Sequence, residues 1–278
     1  MSIASLLSAC SAVDVLNAVT PSGSHELTSG IAYGSDPRQR LDVYRPAPAA
    51  SSHPLVVFFY GGSWNRGDRR DYRFLGQALA ARGMVVVVPD YRVYPQIVYP
   101  EFLHDSAAAV AWAVREAGAF GADPKRLYVM GHSAGAYNAA MLALDPRWLA
   151  GSGLSPQALA GWLGLAGPYD FLPIINPEVR PVFNHPDYPS GTQPIDHVSF
   201  AAPRTFLAAA ASDDLVNPKR NTAQLARLLD EAGVDVERKL YSRVNHVTLA
   251  SAFAWPLRWL APVLDDVTAF IGTGERGD

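Results

Sequence analysis

Gly131-His132-Ser133-Ala134-Gly135 is the stretch with the plainest capacity for chemistry. A short apolar run, Leu127-Tyr128-Val129-Met130, precedes it, and small residues from Ala136 to Leu144 follow it and read as a helix. Strand, sharp turn and helix form the setting in which G-x-S-x-G exposes a serine hydroxyl. The reason is steric. A serine at the tip of such a turn holds a strained backbone conformation, and the strand and helix on either side come very close. Only glycine or another small residue fits two positions before and two after it. The turn also leaves the next N–H, that of Ala134, aimed at whatever the hydroxyl attacks. A serine hydroxyl is nearly inert at neutral pH. It needs a base within hydrogen-bond reach, and the base needs an acid to hold its tautomer.

In this layout the acid and the histidine follow the serine in that order, on loops at the carboxyl ends of later strands. The strand-like run Thr205 to Ala211 ends at Ser212-Asp213-Asp214, and the next ends at Tyr241, just before Asn245-His246. Both sites therefore fall on the rim that carries Ser133. Of the seven histidines, His246 has the strongest claim. His132 lies inside the turn and points away from the hydroxyl. His25 and His53 precede the turn, and His104 lies on a helix. His185 and His197 lie in an irregular segment without the tight ligand pair that a metal needs, so no metal site is expected. Asp213 and Asp214 compete for the acid role, because only one side chain can point across to His246. A tetrahedral oxyanion needs two or three N–H donors. Ala134 supplies one, and Tyr60-Gly61-Gly62-Ser63-Trp64 is expected to supply the rest from Gly62 and Ser63, since adjacent glycines let a backbone turn its amides toward a ligand.

The elements that must position these groups are legible in outline. Residues near 25 to 33 and 41 to 44 read as two antiparallel strands around the turn Gly34-Ser35-Asp36-Pro37. Leu55 to Tyr60 and Met84 to Val88 are continuous apolar runs, the mark of strands buried on both faces. Helices are expected over Tyr72 to Arg82, Pro100 to Gly118, Pro218 to Ala232 and Val247 to about Ile271, and further strands over Leu159 to Ala166 and Val234 to Tyr241. Asp123-Pro124 reads as the turn into the strand that carries the serine. The alternation from residue 55 onward demands a mostly parallel sheet of about eight strands with helices on both faces, an α/β fold. Residues 167–200 break the rhythm and read as a small cap over the carboxyl ends of the strands. The domain itself is expected over residues 25–278.

The bulk numbers limit the function classes. With 278 residues, 49% of them hydrophobic, the chain can bury one sizeable core. A net charge of −3 offers no basic stripe, so nucleic acid is not an expected partner. One cysteine, Cys10, rules out an intramolecular disulfide. Residues 1–24 read as an arm or the remnant of a leader. Leu7-Ser8-Ala9-Cys10 resembles the lipid-attachment box of bacterial lipoproteins, yet it has no positive region before it and its apolar core is short. Either a start lies upstream of Met1 and Cys10 carries a lipid anchor on an exported protein, or the likeness is chance and the protein is cytoplasmic.

Taken together, these residues resemble the α/β-hydrolase superfamily, and within it the branch of carboxylesterases, acetyl-esterases and kynurenine formamidases. That branch carries His-Gly-Gly-x-Trp where this chain has Tyr60-Gly61-Gly62-Ser63-Trp64. Gly67-Asp68-Arg69-Arg70, Pro89-Asp90-Tyr91-Arg92 and Gly167-Pro168-Tyr169-Asp170 continue the likeness, which covers about residues 38 to 250. Asp213, with Val216 and Pro218 after it, resembles the D-x-x-V-x-P pattern that follows the acid in such hydrolases. The resemblance thus implies Ser133, Asp213 and His246 as the catalytic set and a small-molecule ester as substrate, with no cofactor. It also implies an acyl-enzyme on Ser133. Trp64, Tyr137 and Phe171, with Tyr91 and Phe183, are candidate pocket walls; Asp105 and Asp170 read as structural. Arylformamidase activity on N-formylkynurenine is the alternative, an aminopeptidase-like activity a third, and a non-catalytic hydrolase-fold binding protein the reading from another class. Tyr60 departs from the branch, whose histidine braces the oxyanion loop.

Overall fold

The computed structural model describes residues 16–17, 25–47 and 52–272. Cys10 and most of the expected arm over 1–24 lie outside the described residues. Eight strands form one sheet: β1 (His25–Ala32), β2 (Arg40–Pro46), β3 (His53–Phe59), β4 (Val85–Pro89), β5 (Ala122–His132), β6 (Leu159–Leu165), β7 (Thr205–Ala210) and β8 (Val236–Tyr241). Their spatial order is β1-β2-β4-β3-β5-β6-β7-β8. β2 is antiparallel to β1 and β4, and every pairing from β4 through β3 to β8 is parallel. The expected α/β-hydrolase architecture is therefore present. The Val-rich run of β4 and the apolar run of β3 are buried along nearly their whole length, as strands covered on both faces must be.

The covering helices are α1 (Arg73–Ala80), α2 (Glu101–Glu116), α3 (Ala134–Leu144), α4 (Pro146–Ala150), α5 (Gln224–Glu231), α6 (His246–Ser251) and α7 (Val263–Gly272). α1 packs against β2, β4 and α7, whereas α2 packs against α3, and α3 lies on β3, β5 and β6. Every residue of α3 is buried, and apart from Gly135, Tyr137 and Asn138 it is built of Ala, Leu and Met without a polar stripe.

Three expectations need correction, and proline is behind the first two. The closing helix is not continuous from 247 to 271. α6 ends at Ser251, a 3₁₀ turn spans Trp255–Leu260, and α7 starts at Val263. Pro256 and Pro262 lack the N–H that an interior position must donate, so each stands at the start of a new element instead. Asp123-Pro124 is not a turn before β5 but part of it. The pairing with β3 shifts between Pro54 and Leu55, and this irregularity is where a sheet tolerates proline. The helix expected from Pro218 begins as one π turn, Lys219–Ala223, before α5.

Residues 167–200 hold two 3₁₀ turns, Arg180–Phe183 and Pro194–His197. They are tied to the domain by the buried Asn221, whose Oδ1 accepts from the Tyr169 and Asp170 N–H groups at 2.6 and 2.9 Å, and are held together within by the half-buried Gln193, whose Oε1 accepts from those of Phe171 and Leu172 at 2.7 and 2.9 Å. Because β3, β5, β7 and β8 run parallel, the loops leaving their carboxyl ends share one rim.

Candidate active site

β5 feeds α3 through Ser133, whose backbone sits at φ 54° and ψ −122°. Such a conformation persists in a non-glycine residue only where the surroundings enforce it. Here backbone contact does so. A Cβ on Gly131 would lie 2.1 Å from the Gly135 carbonyl oxygen, and one on Gly135 would lie 2.0 Å from that of Phe59. The Ser133 N–H donates to the Leu165 carbonyl at 2.8 Å, which ties the turn to β6.

The structure brings Ser133, Asp213 and His246 together. The His246 Nε2 lies 2.8 Å from the Ser133 Oγ, and its Nδ1 lies 2.7 Å from the Asp213 Oδ2. A carboxylate only accepts, so Nδ1 carries the ring proton and Nε2 presents a lone pair to the hydroxyl. Asp213 and His246 are both buried, whereas Asp214 is exposed. The other oxygen of Asp213 accepts from the Leu215 and Val216 N–H groups, each at 2.9 Å. Burial pushes the Asp213 carboxyl up, but the His246 ring and these N–H groups outweigh it and hold it below the ordinary carboxylate value. Asn245 caps α6 with its side chain and so fixes the first turn, in which His246 stands.

The loop after β3 lies directly on this turn: a Cβ on Gly61 would come within 2.9 Å of the Ser133 Cβ. Ser63 and Ala134 line the cavity beside Ser133. Gly62, expected as a donor, is not on the cavity surface. Its φ of +136° folds it against the Arg66 carbonyl, and its own carbonyl accepts from the Asn65 and Arg66 N–H groups. Tyr60 is buried beneath the loop and stacks on Tyr91 at 4.8 Å. Its hydroxyl donates to the Asp90 Oδ1 at 2.9 Å and accepts from Arg38 at 3.0 Å, while Arg38 also donates to the Gly67 carbonyl at 2.8 Å. Arg69 bridges Asp90 and Asp42. Tyrosine thus braces the loop through a buried ionic network.

The cavity over Ser133 has a volume of about 320 Å³. Trp64, Phe171, Ile174 and Val179 give it an apolar side; Asp170, Asn176, Asn217 and Arg220 give it a polar one. Two walls, Ile175 and Leu215, stand 80% and 72% exposed at its rim. Tyr137 is not a wall. One turn along α3 from Ser133, it faces residues 167–200, donates to the Thr192 carbonyl at 2.6 Å and packs edge-on against Trp64. Tyr91 and Phe183 are likewise buried without lining the cavity. Asp105 is held by Gln39 and Arg92, as a structural carboxylate would be. Asp170 pairs with Arg220 at 2.9 Å and also lines the cavity. Sequence reasoning missed Arg220, Asn217 and Leu215; the one signal near them was the pattern after Asp213, which includes Val216. Among the described residues, no group of three or more His, Cys, Asp or Glu could hold a metal, and no helix is long and apolar enough to cross a membrane.

The family model described as BD-FAE matches residues 41–150, and that of the prolyl oligopeptidase family matches residues 101–265. The isoprenylcysteine alpha-carbonyl methylesterase ICME of Arabidopsis thaliana is 34% identical over 157 residues, which is 55% of this chain but 37% of that protein's length. The carboxylesterase NlhH of Mycobacterium tuberculosis is 32% identical over 217 residues, 70% of this chain and 66% of NlhH. A truncated carbohydrate esterase from gut microbiota superposes with a TM-score of 0.76 at 16% identity, covering 92% of this chain and 99% of the other, a likeness of fold. Through a sheet of this topology and a family model that spans more than half of its length, the chain belongs to the α/β-hydrolases, in the prolyl oligopeptidase family.

Proposed function

We propose that the protein is a serine carboxylesterase that hydrolyses short-acyl esters through an acyl-enzyme on Ser133. The observation that carries this reading is the line Asp213–His246–Ser133, with contacts of 2.7 and 2.8 Å, which opens on a cavity that Ser63 and Ala134 help to line. His246 Nε2 takes the hydroxyl proton as the Ser133 Oγ bonds to the ester carbonyl carbon. The oxygen that gains negative charge is met by the N–H groups of Ser63 and Ala134. Collapse of the tetrahedral species breaks the bond to the alcohol oxygen, which leaves with the proton from His246. Water then repeats the sequence on the acyl-enzyme, and the acid is released. Asp213 keeps the imidazole in the tautomer that can accept, and stabilises the imidazolium.

The size of the cavity favours a short acyl group, since sites for small molecules span about 300–1,000 Å³. Residues 167–200 serve as a small cap, because they contribute Phe171, Ile174 and Val179 to the apolar side. The esterase names of ICME and NlhH point to ester rather than amide cleavage. The test is a series of p-nitrophenyl esters from acetate to octanoate, beside N-formylkynurenine and a proline-containing peptide. Turnover is expected to peak at a short ester, to vanish in Ser133→Ala, and to be blocked by a phosphonate whose mass adduct maps to Ser133. Formamide or peptide turnover far above ester turnover overturns the reading.

A further inference from the structure

His132 is adjacent to the nucleophile in sequence, faces away from it and is buried. Its Nε2 lies 2.9 Å from the main-chain carbonyl of His246, and its Nδ1 lies 3.2 Å from the Tyr72 hydroxyl. A carbonyl can only accept, so the proton sits on Nε2, and Nδ1 accepts the Tyr72 hydroxyl proton. One chain of hydrogen bonds therefore runs from Tyr72 through His132 into the backbone of the base, and the loop that carries Ser63 is packed against its middle. It therefore adds a second contact, besides Ser133, between the loop after β3 and the first residue of α6. Close packing supports the link, since a Cβ on Gly61 would lie 3.2 Å from the His132 Nδ1. Burial, helped by the charge of the neighbouring His246, lowers the His132 pKa to about 3. Its ring, centred 5.1 Å from that of His246, thus adds no positive charge beside the imidazolium that forms during turnover.

We infer that Tyr72 and His132 are positioning residues, which hold the backbone of His246 in register with the loop that bears the oxyanion donors. The inference rests on the assignment of Ser133 as nucleophile and His246 as base. His246 is anchored at its ring by Asp213 and Ser133 and at its carbonyl by His132. Loss of the third anchor lets the ring drift relative to the donors, and misplacement of about 1 Å in an active site can cost about a hundredfold in rate.

The experiment measures p-nitrophenyl butyrate kinetics, thermal unfolding and phosphonate titration of active sites. It compares wild type with His132→Phe, His132→Gln, Tyr72→Phe and the double variants. His132→Phe is expected to lower kcat about tenfold to a hundredfold at unchanged KM, the sign of an interaction that matters in the transition state. His132→Gln, whose amide nitrogen reaches the same carbonyl, should restore most of that loss. Tyr72→Phe should lower kcat in the wild-type background and add nothing to His132→Phe, where the chain is already cut. Should the Phe variant not fold, His132→Asn replaces it, since its shorter amide reaches Tyr72 but not the His246 carbonyl. Equal kcat for the donating and non-donating variants, multiplicative effects of Tyr72→Phe in both backgrounds, or a change confined to KM overturns the inference. Wild-type labelling at Ser133, with no turnover in Ser133→Ala, tests the underlying assignment separately, so either can fail alone.

Discussion

The choice between Asp213 and Asp214 is made by burial and by two backbone amides. Asp213 turns one oxygen to His246 and the other to the N–H groups of Leu215 and Val216, while Asp214 stands in solvent. Asp213→Asn should therefore lower kcat about 10⁴-fold, because the amide favours the wrong imidazole tautomer. Asp214→Asn should change it less than about twofold, as expected of a surface substitution away from such features. Steady-state kinetics on one ester decides both. His132 supplies a second prediction. Its pKa is about 3 in the folded chain against 6.5 for the free side chain. The unfolded chain thus binds one more proton between those values, and stability contributed by the neutral ring is lost as the pH falls through that window. The ionisable groups that act on it are Tyr72, at its Nδ1, and the His246 ring and Asp213, whose charges oppose and favour its protonation respectively. The slope is at most about 1.4 kcal/mol per pH unit. Urea unfolding at a series of pH values should show that slope flattened in His132→Gln; an unchanged slope assigns the acid sensitivity to other groups.

At the scale of elements, the turn around Ser133 is fixed by backbone contacts that leave no space for a methyl group. Gly135→Ala would place a carbon 2.0 Å from the Phe59 carbonyl oxygen, so β3 and α3 must separate. The expected cost is about 4 kcal/mol or more, in the range of severe core defects, with activity lost before the fold. Thermal unfolding and phosphonate labelling report the two losses separately. This turn was also the most legible part of the sequence, because strand, glycines and serine all follow from one steric requirement. The order of Asp213 and His246 was legible for a related reason: both follow strands of a parallel sheet, whose carboxyl ends share a rim. Periodicity failed where prolines interrupt an apolar pattern. The run from 247 to 271 keeps a helical rhythm of buried residues, yet Pro256 and Pro262 divide it into three pieces. Tyr137 was misread because helix position alone does not say whether a residue one turn past the serine faces the cavity or the chain packed behind it.

At the scale of the molecule, residues 167–200 are joined to the rest by links of very different strength. The Arg66–Glu178 ion pair, 3.0 Å long, reaches from the loop after Gly62 to that segment, but both side chains are more than half exposed. Glu178→Gln should change stability by less than about 0.5 kcal/mol, since solvent screens such pairs. Asn221 is buried and accepts from two main-chain N–H groups at the start of the segment. Asn221→Ala leaves both donors unpaired, so it should cost about 2 kcal/mol and raise KM for butyrate esters as Phe171 loses its place. Melting curves and KM measured on the two variants distinguish the links. Ile175 and Leu215, the exposed rim residues, have a different consequence. They stand at the rim of the cavity and contribute little to the interior, whereas the glycines beside Ser133 tolerate no addition. A combinatorial library confined to positions 175 and 215 should yield mostly soluble clones with altered selectivity, and one spread over 131 to 135 should yield mostly inclusion bodies. Laboratory evolution of this scaffold thus has its room to manoeuvre at the doorway rather than the hearth.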